Sequence, residues 1–153
     1  MQSVSDAASR RTFLTAMGGA IVVTLLPSVV AAAPEQVAAE IKKLFGDKKL
    51  IDGKIKIDLP SIAENGLVVP LNFEVESPMT DKDDVKTVHF FSEGNPNPLV
   101  AAFAFTPLSP KAAAAIRIRL AQSQKIVAVA EMSSGEIYTA AREVKVTIGG
   151  CGG

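Results

Sequence analysis

The sequence predicts an all-β fold: an immunoglobulin-like antiparallel β-sandwich with a short N-terminal helix and a flexible C-terminal Gly-Gly-Cys-Gly-Gly arm. Three observations predict it. Helical periodicity is confined to residues 35–45, after which the apolar pattern changes to period two. About seven strand-like runs then follow at short spacing, with turn signals between them. Last, the only cysteine of the 153 residues, Cys151, stands between two glycine pairs that carry no side chain to pack.

In chain order, the first element is an export signal. Arg10 and Arg11, followed by Phe13 and Leu14, carry the twin-arginine motif. The apolar stretch 16–30 is interrupted by Gly18, Gly19 and Pro27 and meets the small residues Ala31, Ala32 and Ala33, as a signal peptidase requires. Pro34 disfavours a scissile bond directly before it, which leaves cleavage after Ala31 or Ala32. The division is therefore signal 1–32, sandwich 33–148 and arm 149–153. A membrane anchor is the competing reading of a run near the minimum spanning length. The glycines, the proline and the alanine exit argue against it, so no membrane segment is expected after processing. The twin-arginine route delivers folded proteins to the periplasm, usually because a cofactor or a partner is acquired first. No cofactor site is legible further on, so a folded partner carried as a passenger is expected.

Composition narrows the function classes. Removing Arg10, Arg11 and Asp6 from 16 basic and 16 acidic residues leaves 14 and 15. Such a balance gives no support to nucleic-acid or membrane-surface binding. One cysteine allows no intrachain disulfide despite an oxidising destination, so stability must come from a core.

The mature domain opens with the helix, its apolar face made by Val37, Ile41, Leu44 and Phe45, with Gly46 as C-cap. Ile55, Ile57 and Leu59 alternate with Lys54, Lys56 and Asp58 as a half-buried strand. Asp52-Gly53 and Asn65-Gly66 bracket it as turns. Next, Val69, Leu71, Phe73 and Val75 face inward against Asn72, Glu74 and Glu76. The acidic residues 81–84 read as a solvated loop, because no ligand-spaced glycine or closing glutamate follows. A third strand covers residues 85–91, and the proline-rich residues 95–98 separate it from a fourth over 99–105. That fourth strand is apolar on both faces. Leu99, Ala101, Phe103 and Phe105 form one; Val100, Ala102 and Ala104 form a flat face that suits either covered core or docking. Residues 112–115 have helical propensity, but Ile116, Ile118 and Leu120 alternate with Arg117 and Arg119, and a two-residue period is not a helix face. Residues 121–124 turn into the apolar run 126–130, and Ser133, Ser134 and Gly135 make the next turn. The last strand sets Val144, Val146 and Ile148 inward, and the arm begins at once.

Catalytic candidates are few. His89 is the only histidine, in a strand with no motif around it. Nucleophile elbow, phosphate loop, His-Glu-x-x-His and Cys-x-x-Cys are all missing. Met79 and Met132 with Cys151 lack any spacing that supports copper(I), and neither metal nor cofactor is expected. The glycines beside Cys151 offer no cation, so its thiol is mostly protonated at neutral pH. A partner enzyme must supply the base, metal or cation. The division of labour is that of a substrate carrier, not of an enzyme. Fully extended, five residues reach roughly 17 Å, which suits an arm that carries a thiol into another protein's cleft. A frayed end and an intermolecular disulfide in an immunoglobulin-like periplasmic interaction module are the other readings of a tail cysteine.

An exported domain ending Val146-Thr147-Ile148-Gly149-Gly150-Cys151-Gly152-Gly153 closely resembles the SoxY family, sulfur-carrier subunits of the periplasmic Sox thiosulfate-oxidising system. Residues 62–66, Asn97-Pro98 and residues 117–121 resemble family segments too. The resemblance implies that Cys151 holds thiosulfate-derived sulfur covalently, on a swinging arm made by Gly149, Gly150, Gly152 and Gly153. It implies a heterodimer with SoxZ, which lacks its own signal. It further implies loading by the haem enzyme SoxAX, hydrolysis by SoxB and, in some systems, oxidation by SoxCD.

Overall fold

The structure, a computed structural model, describes residues 34–149. Proline, whose missing N–H is harmless in a first helical turn, opens helix α1 (Pro34–Phe45). Gly46 closes it at φ +72°, its N–H donating to the Lys42 carbonyl at 2.8 Å. Val37 and Phe45 are buried and Ile41 is half-buried. Leu44, expected on the same face, is 46 % exposed. Residues 37, 41 and 45 drift around the axis in steps of four, and Leu44 lies about 100° from Phe45, outside the covered stripe.

The strands that follow are β1 (Leu50–Asp52), β2 (Ile55–Asp58), β3 (Ile62–Ala63), β4 (Val69–Val75), β5 (Val85–Ser92), β6 (Leu99–Ala104), β7 (Ala112–Ile118), β8 (Gln124–Met132) and β9 (Ile137–Val146). A six-stranded sheet runs in the order β1-β9-β8-β5-β6, with β3 also paired to β9, and a three-stranded sheet runs β2-β4-β7. The predicted sandwich is what forms, and the seven longer strands pair antiparallel. Two short strands were not legible in the sequence: β1 and β3 pair parallel with β9, Leu50 opposite Ile137 and Ile62 opposite Lys145.

Between the sheets lies the main core. On β4, Val69, Leu71, Phe73 and Val75 alternate buried with exposed neighbours, as period two demands. Phe73 packs 4.9 Å from both Phe90 and Phe103, centroid to centroid. Helix α1 covers the other face of the large sheet, where Val37 and Phe45 pack with Phe91, Val129 and Ile137. Coverage on both sides explains why residues 126–130 are a continuous apolar run, and why Phe90 and Phe91 are both fully buried. On β7 the alanines pair with β4, Ala112 opposite Val75, so cross-strand pairing prevails over their helical propensity.

Three expectations are corrected. Leu99 and Val100 exchange faces, because the β5–β6 register shifts between Phe90 and Phe91. Leu99 packs on the helix side and Val100 on the inter-sheet core. Asp84, read as part of a solvated loop, is 6 % exposed. Its N–H donates to Ser133 Oγ and its carbonyl accepts from the Ser133 N–H, so the 133–135 turn covers it. Ile148, read as inward, is 68 % exposed, because the inward face of β9 continues past the end of the core.

Candidate functional site

The arm's glycines and thiol are carried by β9, so the site is built from what holds the end of that strand. Ser123 Oγ accepts from the Val146 N–H at 2.9 Å and donates to its carbonyl at 3.3 Å. Thr147 is tied to the 61–68 segment: its N–H donates to the Ala63 carbonyl at 3.0 Å, and its hydroxyl to that of Glu64 at 2.8 Å. The Ile148 carbonyl accepts from the Gly66 N–H at 2.7 Å, and the Gly66 carbonyl accepts from Leu120 at 2.8 Å. Beyond Val146, the last strand residue, the Thr147 N–H and the Ile148 carbonyl are thus both tied to the 61–68 segment.

Gly149 comes next. A Cβ there would overlap the carbonyl oxygen of Ala121. The contact is made although the residue is exposed, so the missing side chain is a matter of close approach. Ala121 is itself fixed, its N–H donating at 2.9 Å to Oδ1 of the buried Asn95. Asn95 also accepts from Gln124 Nε2 at 2.9 Å and donates through Nδ2 to the Arg119 carbonyl at 2.8 Å. Gln124 returns a bond through Oε1, which accepts from the Gly94 N–H at 2.8 Å. Gly94 is a second close approach, for a Cβ would stand 2.8 Å from that of Gln124. One polar cluster thereby fixes the loop against which the arm root rests.

Sequence reasoning found Gly149 but read it as part of a free tether. Asn95 and Gly94 it did not single out, and an Asn-Pro-Asn-Pro loop alone carries no sign of a buried anchor. Cys151, Gly150, Gly152, Gly153, Arg10 and Arg11 lie outside the described residues.

Beside the root is an open cleft of about 550 Å³, lined among others by Ser61, Ser123, Lys125 and Lys145 with Glu93 and Glu143. Its cations and carboxylates balance, and Lys125 stands 4.0 Å from Glu93. No nucleophile–base pair is assembled among these side chains. The remaining candidates lie elsewhere. His89 sits under α1, its ring 5.2 Å from that of Phe45 and stacked at 6.3 Å on Phe91. Its Nδ1 is buried without a hydrogen-bond partner among the described residues, and burial pushes its pKa down, against a smaller upward pull from Glu131. Met79 and Met132 are core residues. Among the described residues no group of three or more His, Cys, Asp or Glu side chains converges on a metal position, and no helix is long and apolar enough to cross a membrane. Ala102 and Ala104 are exposed on β6, an edge strand of the large sheet, and Val100 is partly buried.

The family model "Sulfur oxidation protein SoxY" matches residues 41–151. Among solved structures, the sulfur carrier protein SoxY from Chlorobium limicola f thiosulfatophilum is similar at 32% identity and a TM-score of 0.64, over 74% of this chain and 98% of that one. A superoxide reductase (neelaredoxin) from Ignicoccus hospitalis is similar at 20% identity and TM-score 0.55, over 76% and 94%. A putative superoxide reductase from Thermotoga maritima follows at 14% and 0.51, over 63% and 93%. The two reductases share the fold alone. No curated protein sequence matches the chain.

Proposed function

The chain belongs to the SoxY family of sulfur oxidation proteins, and from that premise we propose that it carries sulfur-oxidation intermediates covalently on Cys151. A carrier role in sulfur oxidation follows from the family; the thiol chemistry and the hand-off are the proposal. The observation that carries it is the extent of the family match, which runs through the root of the arm to residue 151, the only cysteine. The paired backbone at residues 147–148 and the close contact at Gly149 support it, because they give the two residues that follow a fixed origin.

In loading, the Cys151 thiol and thiosulfate form an S–S bond, the thiol proton is released, and two electrons pass to the loading enzyme. The product is a cysteine S-thiosulfonate. Hydrolysis then adds water across the bond to the terminal sulfonate, releasing sulfate and protons and leaving a persulfide on the cysteine. No base or cation near Cys151 in the sequence activates it, so each enzyme brings its own activation. By family resemblance the enzymes are SoxAX for loading, SoxB for hydrolysis and, where present, SoxCD for the persulfide. The stable partner is SoxZ, the place of action is the periplasm, and export depends on Arg10 and Arg11. The exposed alanines of edge strand β6 are the docking surface we assign to that subunit.

The experiment is intact-mass analysis of the exported protein from cells fed thiosulfate, with Cys151→Ser alongside. Sulfur adducts confined to the cysteine-bearing chain are expected. A disulfide dimer under every condition would sink the carrier reading and favour a structural tail cysteine.

A further inference from the structure

Seven large apolar side chains are exposed among the described residues, and three of them, Leu67, Val68 and Ile148, belong to the segments that meet at the arm root. Their segments are tied together there. Thr147 bonds to Ala63, and Ile148 bonds to Gly66, which directly precedes Leu67 and Val68. Their exposures run from 47 % to 68 %, and the hydrogen bonds between their segments set them as an apolar collar at one side of the point where the chain leaves the domain. Isolated exposed apolar residues need no explanation, but a cluster at one functional point does.

The length of chain beyond the collar suggests what covers it. Gly149 rests against the Ala121 carbonyl, so the covalent reach to the thiol counts from that residue. Two peptide units separate Gly149 from Cys151, a span of at most about 7 Å between Cα atoms. A thiol on so short a tether enters another protein's cleft only if that protein's surface closes onto the collar. Resting on the carrier reading, we infer that Leu67, Val68 and Ile148 are the docking surface for the enzyme that loads thiosulfate onto Cys151, whose cleft is rimmed by apolar side chains complementary to this collar. The collar supplies binding area that the four residues after Gly149 lack, and it does so without contacting the sulfur.

The test is Val68→Ser/Ile148→Ser in the full mature chain, assayed with the thiosulfate-loading enzyme and the carrier as varied substrate. Both side chains are more than half exposed, and an unchanged Tm verifies the fold. Expected is a KM for the carrier raised about tenfold, with kcat at saturation, Tm and the rate of Cys151 alkylation by iodoacetamide unchanged. Leu108→Ser is the control, since Leu108 is 94 % exposed in the loop before β7, at the end away from the arm. It should change nothing. An unchanged KM in the double variant overturns the docking assignment while the carrier reading stands. So does loss of a stable subunit or of a self-dimer in sedimentation, which would give the collar another occupant. Slowed alkylation overturns it as well, by making the collar a device that presents the thiol. A wild-type chain that takes up no thiosulfate overturns the carrier reading and the docking assignment together.

Discussion

At Gly149 the carbonyl of Ala121 occupies the space a Cβ would take, and the contact turns a residue expected to swing into one that is seated. Gly149→Ala must push the 119–123 loop or the end of β9 outward, at about 1–3 kcal/mol. A lower urea midpoint with an unchanged slope is the expected result. Asn95 is the other residue on which the root depends, with one donor and a doubly used acceptor. Asn95→Ala leaves the Ala121 N–H and the Arg119 carbonyl without these partners, costing about 1–3 kcal/mol for each group left unsatisfied. Native-state hydrogen exchange at Ala121 should accelerate more than exchange in the middle of β4. Neither change removes the thiol. Cys151→Ser removes only that, and it is expected to leave the midpoint in place while abolishing thiosulfate loading.

Helix α1 is held to the large sheet by a small cluster, Val37 and Phe45 against Phe91, Val129 and Ile137, with His89 at its margin. Desolvation lowers the His89 pKa in the folded protein, and the opposing influence of Glu131 is smaller. The unfolded chain therefore binds more protons as pH falls through the ordinary histidine range. Stability from this group is fully present above about pH 6.5, the unfolded value, and is lost as pH drops from there through the lower folded value. Thermal melts at pH 8 and pH 5.5 should show the loss in the wild type. His89→Phe should flatten that part of the profile, because it keeps an aromatic ring between Phe45 and Phe91 and cannot be protonated. An equal loss in both proteins would assign the pH effect to other groups.

One side of the large sheet is capped by α1 and the other by the small sheet, yet among the described residues β6 ends the sheet order with an unpaired edge. Ala102 and Ala104 are exposed there, so larger residues meet solvent in the free chain. Ala102→Arg/Ala104→Arg should leave Tm within about 2–3 °C, since such surface changes stay within roughly 0.5 kcal/mol. The same variant should abolish one-to-one copurification of a second small β-rich protein from the periplasm. Retained copurification would move the subunit interface off β6.

The local pattern of this sequence determined most of the fold. Alternation in residues 55–59 and 69–75 specifies strands with one buried face, because side-chain direction along a strand depends only on parity. The helix over residues 35–45 and its closing glycine were legible for the same local reason, a period of 3.6 and a left-handed cap. The family was legible in the run from Val146 to Gly153, which also holds the only cysteine, the residue proposed to carry the sulfur. Tertiary structure decided what depends on contacts between distant segments. The parallel pairings of β1 and β3 on β9 join residues more than 80 apart, and runs of two or three residues carry no period of their own. The bulge that exchanges Leu99 and Val100 is set by how β6 registers on β5. The seat of Gly149 exists only because the loop held by Asn95 lies across the end of β9. A glycine's freedom can be read along the chain, but its crowding depends on which other segment arrives beside it.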